Sequence, residues 1–383
     1  MKTTARSGSH LPVVSAGSKK NSGGGDSLPE LRARIDAISL EILRLLSERA
    51  RLAQAIGHLK RGDGGQIYQP VRERAVLEKL IANNPGPLTN EHIERIFTEV
   101  ISACRALEHE VMVAYLGPEH TYTHLAALSR FGSSATLIPQ GSIPAVFQAM
   151  ESGRCEFGVV PVENSTEGSV TTTLDLLIDT PLQIVGEILV AIRHALLSLS
   201  GKPDEIRKIY SHQQSLAQCR NYLAANYPRC EQEAFASNAL AAKRAAEEPA
   251  AAAIASMEAG AAYGLKVVAE AIQDSAQNTT RFLVLGKNPV ARSGADKTTV
   301  LFAVADRVGT LNEALNLFAR NRINMTKIES RPMRSRPWEY MFFADLKGHR
   351  DDPGLKRALA ALKRKTLFSK VLGSYPEARG GGS

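Results

Sequence analysis

The sequence predicts a multidomain chain: an all-α region, then a longer α/β segment, then a C-terminal α+β domain of ferredoxin-like order. Three observations carry this. Apolar residues recur at helical spacing through residues 31–107; short β-rich runs then alternate with helical ones; and the last stretch reads βαββαβ. With 383 residues, 44% of them apolar, the chain can bury substantial cores in two or three domains. The formal charge is +8. Lys2, Arg6, Lys19 and Lys20 stand against Asp26 in the Gly/Ser-rich stretch before Ser27, so about +5 remains elsewhere and a nucleic-acid partner loses much of its support.

The four cysteines (Cys104, Cys155, Cys219, Cys230) form no C-x-x-C pair or metal spacing, so we expect no metal and no cofactor. Reduced thiols suit a cytoplasmic location. No apolar run is long enough to span a bilayer, and the N-terminus lacks a secretory apolar segment, so no membrane partner is expected.

In Leu31, Ile35, Ile38, Ile42, Leu45, Leu52, Ile56 and Leu59 a four-three alternation predicts one long helix with a coiled-coil-like seam. Arg49 fills one seam slot. Gly62, Gly64 and Gly65 end this helix, Pro70 opens a second to about Ile81, and a third fits Asn90 to about Glu110. Strand-like runs follow at 111–116, 157–162, 182–190, 206–210 and 282–285, with a helix at 237–248 capped by Ser237 and stopped by Pro249. Residues 287–295 read as a linker. Beyond them come strand 298–305, helix 310–321, strands 323–330 and 338–346, helix 352–363 and a strand near Lys370. The domains expected are thus 28–110, 111–286 and 297–376, with tails 1–27 and 377–383 expected to be disordered.

An unpaired guanidinium on an apolar seam is costly to bury, so Arg49 calls for an anion. Lys60 follows 11 residues later, roughly 16 Å along the rod and about 20° around it, so the two long side chains could grip opposite ends of one small dianion. Arg32 lies 17 residues before Arg49, roughly 25 Å away, and can join only from a second chain. Arg72, Glu73, Cys104 and Glu108 are further polar candidates on the second and third helices. The stretches LRARIDAISLEILRLLSERARLAQAIGHLK, QPVRERAVLEKL and IERIFTEVISACRALE resemble the small all-helical chorismate mutases. The resemblance implies that Arg32 of one chain and Arg49 and Arg72 of the other hold chorismate's carboxylates, with Lys60 on the ether oxygen and Glu73 near the hydroxyl. It also implies a pericyclic rearrangement helped by positioning and by charge on the ether oxygen. Glu108 stands where bacterial relatives carry Gln. A carboxylate donates only when protonated, so mutase turnover is expected to fall as pH rises. Gln69 replaces an acidic residue of some relatives, leaving one hydroxyl contact open.

In the α/β segment three polar clusters sit at strand ends: Asn164 to Thr173, Ser211-His212 leading to Gln218, and Asn278 to Phe282. Each alone reads as capping or turn; together they suit a cleft at strand ends. YLGPEHTYTHLAA, VVPVENSTEGSVTTTLDLL, YSHQQSLAQC, AAIAS and YGLKVVAEAIQDSAQNTTRFLVL resemble prephenate dehydratase. That implies two subdomains hinged like a type 2 periplasmic binding protein, with prephenate between them. It assigns Thr280 to the leaving hydroxyl, Arg281 to a carboxylate and Phe282 to packing, with Asn164, Thr173, Ser211, His212 and Gln218 as polar pocket positions. His120 stands where relatives have Gly, so a positive φ is expected there.

The C-terminal βαββαβ order, with Gly309-Thr310-Leu311 at its first turn and NMTKIESRP from Asn324, resembles the ACT domains of phenylalanine-regulated dehydratases. This implies L-phenylalanine as effector, bound near Gly309, Thr310, Leu311, Asn324, Glu329, Ser330 and Arg331 at an interface between paired ACT domains. The combined expectation is a bifunctional enzyme of phenylalanine formation, taking chorismate and prephenate and working as a homodimer or higher homo-oligomer. Two other readings stay open at this level: a non-catalytic sensor of organic anions, against which the Arg49/Lys60 seam and Thr280-Arg281 argue, and an enzyme keeping one activity only.

Overall fold

The computed structural model describes residues 27–62, 69–332 and 340–378. Most of both expected tails, the Gly64-Gly65 break and Trp338 lie outside these residues, as do the side chains of residues 60–62. The chain divides into two units, 1–49 and 50–383.

The first helix, α1 (Leu28–Gly62), contributes its N-terminal part to the first unit. Ser27 caps it through a reciprocal pair with Glu30, and no Gly or Pro falls between Leu31 and Ile56. In this unit Leu31, Ile35, Ile38, Ile42 and Leu45 are all exposed. In the second unit the seam continues with exposed Leu52, Ile56 and Leu59. There α2 (Pro70–Ala82) starts on Pro at N1, and α3 (Asn90–Ala106) is capped by Thr89, whose Oγ1 accepts from His92 N. α3 ends four residues before the expected Glu110. His109 pairs with Glu156 and Glu110 accepts from Thr136, drawing the chain into the next sheet.

That sheet holds β1 (Met112–Leu116), β2 (Thr136–Gln140), β3 (Phe157–Asn164), short β4 (Gly168–Ser169), β5 (Gln183–Ala191) and, returning late, β11 (Thr279–Gly286), in the order β2-β1-β3-β11-β5 with β4 beside β3. Helices α4 (Tyr122–Phe131), α5 (Ile143–Glu151) and α6 (Thr171–Asp179) cover it. The second sheet runs β10-β6-β9-β7-β8, from β6 (Ala195–Ser198), β7 (Lys208–His212), β8 (Glu231–Phe235), β9 (Ala251–Ala255) and β10 (Lys266–Ala269). It carries α7 (Gln213–Gln218), α8 (Arg220–Asn226), α9 (Asn238–Ala245) and α10 (Met257–Ala262). The chain passes between the sheets twice, at 192–194 and 270–278, and the two crossings pair: Ile192 N donates to Asn278 O (2.8 Å) and Ile272 N to His194 O (2.9 Å). This is the two-subdomain arrangement expected, with the cleft over the crossings.

The C-terminal domain comprises β12 (Asp296–Ala303), α11 (Thr310–Arg320), β13 (Met325–Pro332), β14 (Tyr340–Lys347), α12 (Pro353–Lys365) and β15 (Phe368–Pro376), in sheet order β13-β14-β12-β15. One face packs under α11 and α12 around Phe302, Phe318 and Leu362. The other joins the core of the first subdomain through Leu301, Phe343, Leu372 and Tyr375. β15 lies so close to β5 that a Cβ at Gly373 would fall 2.1 Å from the Ile184 carbonyl oxygen, so only glycine fits.

Candidate functional site

Between the two subdomains lies a cleft of about 830 Å³, within the range of small-molecule sites. Asn164, His212, Gln218, Thr280 and Phe282 line it, as expected. Thr121, His212, Ser237 and Ser256, which cap α4, α7, α9 and α10, line it too. Each cap turns the strand-to-helix corner by accepting a backbone N–H, and this brings helix N-termini to the cleft. No Lys or Arg is among the described lining residues.

The polarity of the floor follows from the backbone. Thr166 N (2.9 Å) and Glu167 N (3.1 Å) donate to Asn164 Oδ1. The Asn164 amide nitrogen is thereby turned inward, donating to Thr280 Oγ1 and to Asn278 Oδ1, both at 2.8 Å. With an acceptor role already filled, the Thr280 O–H is left to donate into the cleft.

Three expected pocket residues are not brought to the cleft. Thr173 is fully buried with its hydroxyl donating to Pro161 O (2.6 Å), where it ties α6 to β3. Ser211 is likewise buried, within reach of Ile254 O and Asn238 Oδ1. Arg281 departs most clearly. Successive side chains of a strand alternate in direction, and since Thr280 and Phe282 face the cleft, Arg281 faces the C-terminal domain. It donates to Glu187 Oε2 (2.7 Å), Asp345 Oδ2 (2.5 Å) and Tyr375 Oη (3.0 Å), while Lys297 Nζ holds Glu187 at 2.8 Å. Thr299 Oγ1 donates to Asp345 Oδ1 and lies 2.6 Å from Tyr375 Oη. Burial pulls the Arg281 guanidinium down, but Tyr375, Asp345 and Glu187 together outweigh it and hold it above its ordinary value.

His120 adopts the expected positive φ, 64°, with its ring edge-on to His124 and Tyr263. Its backbone N donates to His124 Nδ1 (3.0 Å), which helps fix the turn. Among the lining residues that the sequence does not single out, two are polar groups at the heart of the cleft. His194 is almost fully buried at the crossing, and Asn238 presents its amide beside His212. The signal for His194 was a histidine just after an apolar strand, which alone is weak.

In the helical region Arg32 is exposed and Arg49 half-buried in the first unit. In the second, Lys60 lies on α1, and Arg72 is exposed. Glu73 accepts from Arg105 Nη1 (2.7 Å), a buried arginine that also donates to Phe131 O and was not expected in this role. Gln69 precedes α2 as its N-cap residue, and Cys104 is buried on α3. Glu108 stands on the turn after α3, not on the helix, against Gly57, where an added Cβ would meet its Oε2 at 2.6 Å.

In the C-terminal domain Gly309 (φ 87°) opens α11 without a side-chain cap, and Thr310 Oγ1 is within reach of Ala305 O and Arg307 O. Leu311 joins the helix-side core, while Asn324 and Ser330 are exposed. Glu329 and Arg331 point to the first subdomain: Glu329 Oε2 accepts from Ser169 Oγ (2.9 Å), and Arg331 pairs with Asp175 (2.7 Å). Among the described residues no cluster could hold a metal ion, and no helix is long and apolar enough to cross a membrane.

The family models for chorismate mutase type II, prephenate dehydratase and the ACT domain match residues 31–109, 113–290 and 298–364 in turn. The bifunctional chorismate mutase/prephenate dehydratase of Aquifex aeolicus is 46% identical over 92% of this chain and 99% of its own. That of Stutzerimonas stutzeri is also 46% identical, over 92% and 98%. A prephenate dehydratase of Arthrobacter aurescens, solved in complex with L-Phe, superposes with a TM-score of 0.65 at 35% identity, over 70% of this chain and 90% of that one. Three matched regions in order, and relatives aligned almost end to end, lead to one conclusion: the chain belongs to the bifunctional chorismate mutase/prephenate dehydratase family.

Proposed function

We infer that this chain rearranges chorismate to prephenate in its helical region and converts prephenate to phenylpyruvate in the cleft, under feedback from L-phenylalanine at the ACT domain. The observation that carries the second activity is the Asn164–Thr280 pair. Loss of carbon dioxide releases the electrons of the ring–carboxylate bond, the ring becomes aromatic, and the C4 hydroxyl leaves with a proton. Thr280, accepting from Asn164, presents its O–H toward that leaving oxygen. Threonine is a weak acid, so its role is to orient and relay a proton. Because the described lining offers no cation, the substrate carboxylates are received by first-turn N–H groups of α4 and α9, which have no intrahelical acceptor. Arg281 serves as a brace behind Thr280 rather than as a carboxylate ligand.

For the mutase, Arg32 from a partner chain with Arg49, Lys60 and Arg72 of the other would enclose the dianion, with Glu73, Glu108, Gln69 and Cys104 around it. The exposed seam supports a homodimer: eight large apolar side chains on one helix are an exposed face of the kind that second helices cover. In the ACT domain, an effector that recruits Glu329 or Arg331 takes them from Ser169 and Asp175. That gives phenylalanine the differential affinity between two states that inhibition requires. The test is to feed chorismate to the purified chain and follow chorismate, prephenate and phenylpyruvate together, with and without phenylalanine. Sequential appearance of both products, with phenylpyruvate suppressed by phenylalanine, is expected; prephenate as the end product would refute the dehydratase assignment.

A further inference from the structure

The backbone contacts that orient Asn164 fix the polarity of a longer chain of side chains. Asn164 Nδ2 donates to Asn278 Oδ1, so the Asn278 amide nitrogen must point onward, and it donates to Gln218 Oε1 (2.9 Å). The Gln218 amide nitrogen meanwhile donates to the Glu167 carboxylate (3.2 Å), an acceptor-only partner that fixes Gln218 independently. Gln218 Oε1 therefore faces His194 Nε2 at 3.0 Å as an acceptor, and Nε2 must carry a proton. The Tyr122 hydroxyl donates its proton to Arg193 O (2.6 Å), and its oxygen lies 3.3 Å from His194 Nδ1.

We propose that His194 is a positioning residue for the dehydratase reaction, its Nε2–H locking the Gln218–Asn278–Asn164 relay that turns the Thr280 hydroxyl proton into the cleft. Its placement suits this. His194 is 1% exposed, lies on the first crossing between subdomains, and is held there by its own N–H donating to Gln273 Oε1 (3.0 Å) and its carbonyl accepting from Ile272 N. The relay draws members from both subdomains and both crossings. Without the Nε2 donor, Gln218 Oε1 loses one of its two partners, and only Asn278 and the 3.2 Å contact to Glu167 then keep the amide from turning its NH₂ against that of Asn278. The inference rests on the dehydratase reading of the cleft.

The test compares full-length His194→Leu and His194→Gln, the latter able to offer an amide N–H near the Nε2 position. Loss of one of the two donors to the half-buried Gln218 Oε1 corresponds to a dehydratase kcat lower by roughly 5- to 10-fold in His194→Leu, with mutase kcat unchanged and His194→Gln within about 2-fold of the parent. Parental kcat in His194→Leu, or His194→Gln as slow as His194→Leu with both folded, overturns the proposal. Should His194→Leu fail to fold, ¹⁵N-histidine labelling of the parent decides. The His194 signal, assigned by its loss in His194→Gln, is expected as the Nε2–H tautomer, and an Nδ1–H tautomer contradicts the relay. A parent without any dehydratase turnover refutes the functional reading instead and leaves the tautomer measurement standing.

Discussion

Replacing Asp345 by Asn removes one charge from a balanced cluster at the junction of the ACT sheet and the first subdomain. Arg281, Lys297 and Lys327 face Glu187, Asp345 and Glu163 there, and the Arg281 and Asp345 side chains are 11% and 5% exposed. At an effective dielectric near 20, a pair with charge centres roughly 4 Å apart is worth about 4 kcal/mol, and breaking a buried pair typically costs about 3–5 kcal/mol. Glu187 is shared between Arg281 and Lys297 and offsets part of the loss, so we expect Asp345→Asn to lower the free energy of urea unfolding by about 3 kcal/mol. The amide introduced by this substitution still offers Thr299 an acceptor oxygen. Adding Arg281→Met restores charge balance and leaves Lys297 on Glu187, so the double variant should recover more than half of the loss. The reasoning is refuted if Asp345→Asn costs under about 0.5 kcal/mol, or if the two substitutions add.

Lys370 donates to the carbonyls of Ile178 (3.0 Å) and Thr180 (2.6 Å) at the end of α6, so Lys370→Met should cost about 1–2 kcal/mol in thermal or urea unfolding. Burial depresses His194, against a smaller raising effect of the Gln218 hydrogen bond, and burial and His120 depress His124. In the window between their folded values and the ordinary 6.5, the unfolded chain binds more protons. Stability from these two groups should therefore be complete above that value and fall as pH drops through the window. His194→Gln should flatten part of that dependence in a pH series of melting curves. Thr280→Ala should lower dehydratase kcat by about 100-fold or more while mutase kcat survives, and equal loss of both would indicate global damage. Glu108→Gln, which supplies a permanent N–H donor, should raise mutase turnover measured on chorismate at neutral pH.

The domain order, the βαββαβ ending and most elements were legible because each rests on a local period or a cap. Ser237 and Pro249 bracket α9, and Pro70 opens α2. Boundaries moved where partners distant in sequence took over, as at α3, released by Glu156 and Thr136. The cleft residues Asn164, His212, Gln218, Thr280 and Phe282 were legible as polar strand ends. Arg281 does not share the direction of its motif neighbours, because strand alternation turns it away from Thr280 and Phe282 toward Glu187. A better signal was Glu187, an acid inside an otherwise apolar strand, which implies a buried cation nearby. His194 and Arg105 gave no comparable sign, since each depends on partners supplied by other elements.

The orientation of the Thr280 hydroxyl is tested most directly by Asn164→Asp in the intact chain, fed with chorismate. A carboxylate accepts from Thr166 and Glu167 as before but cannot donate to Thr280, so the Thr280 proton turns back toward residue 164. Prephenate should accumulate at the parental mutase rate, with phenylpyruvate formed about 100-fold more slowly. Phenylpyruvate appearing at the parental rate would contradict the account.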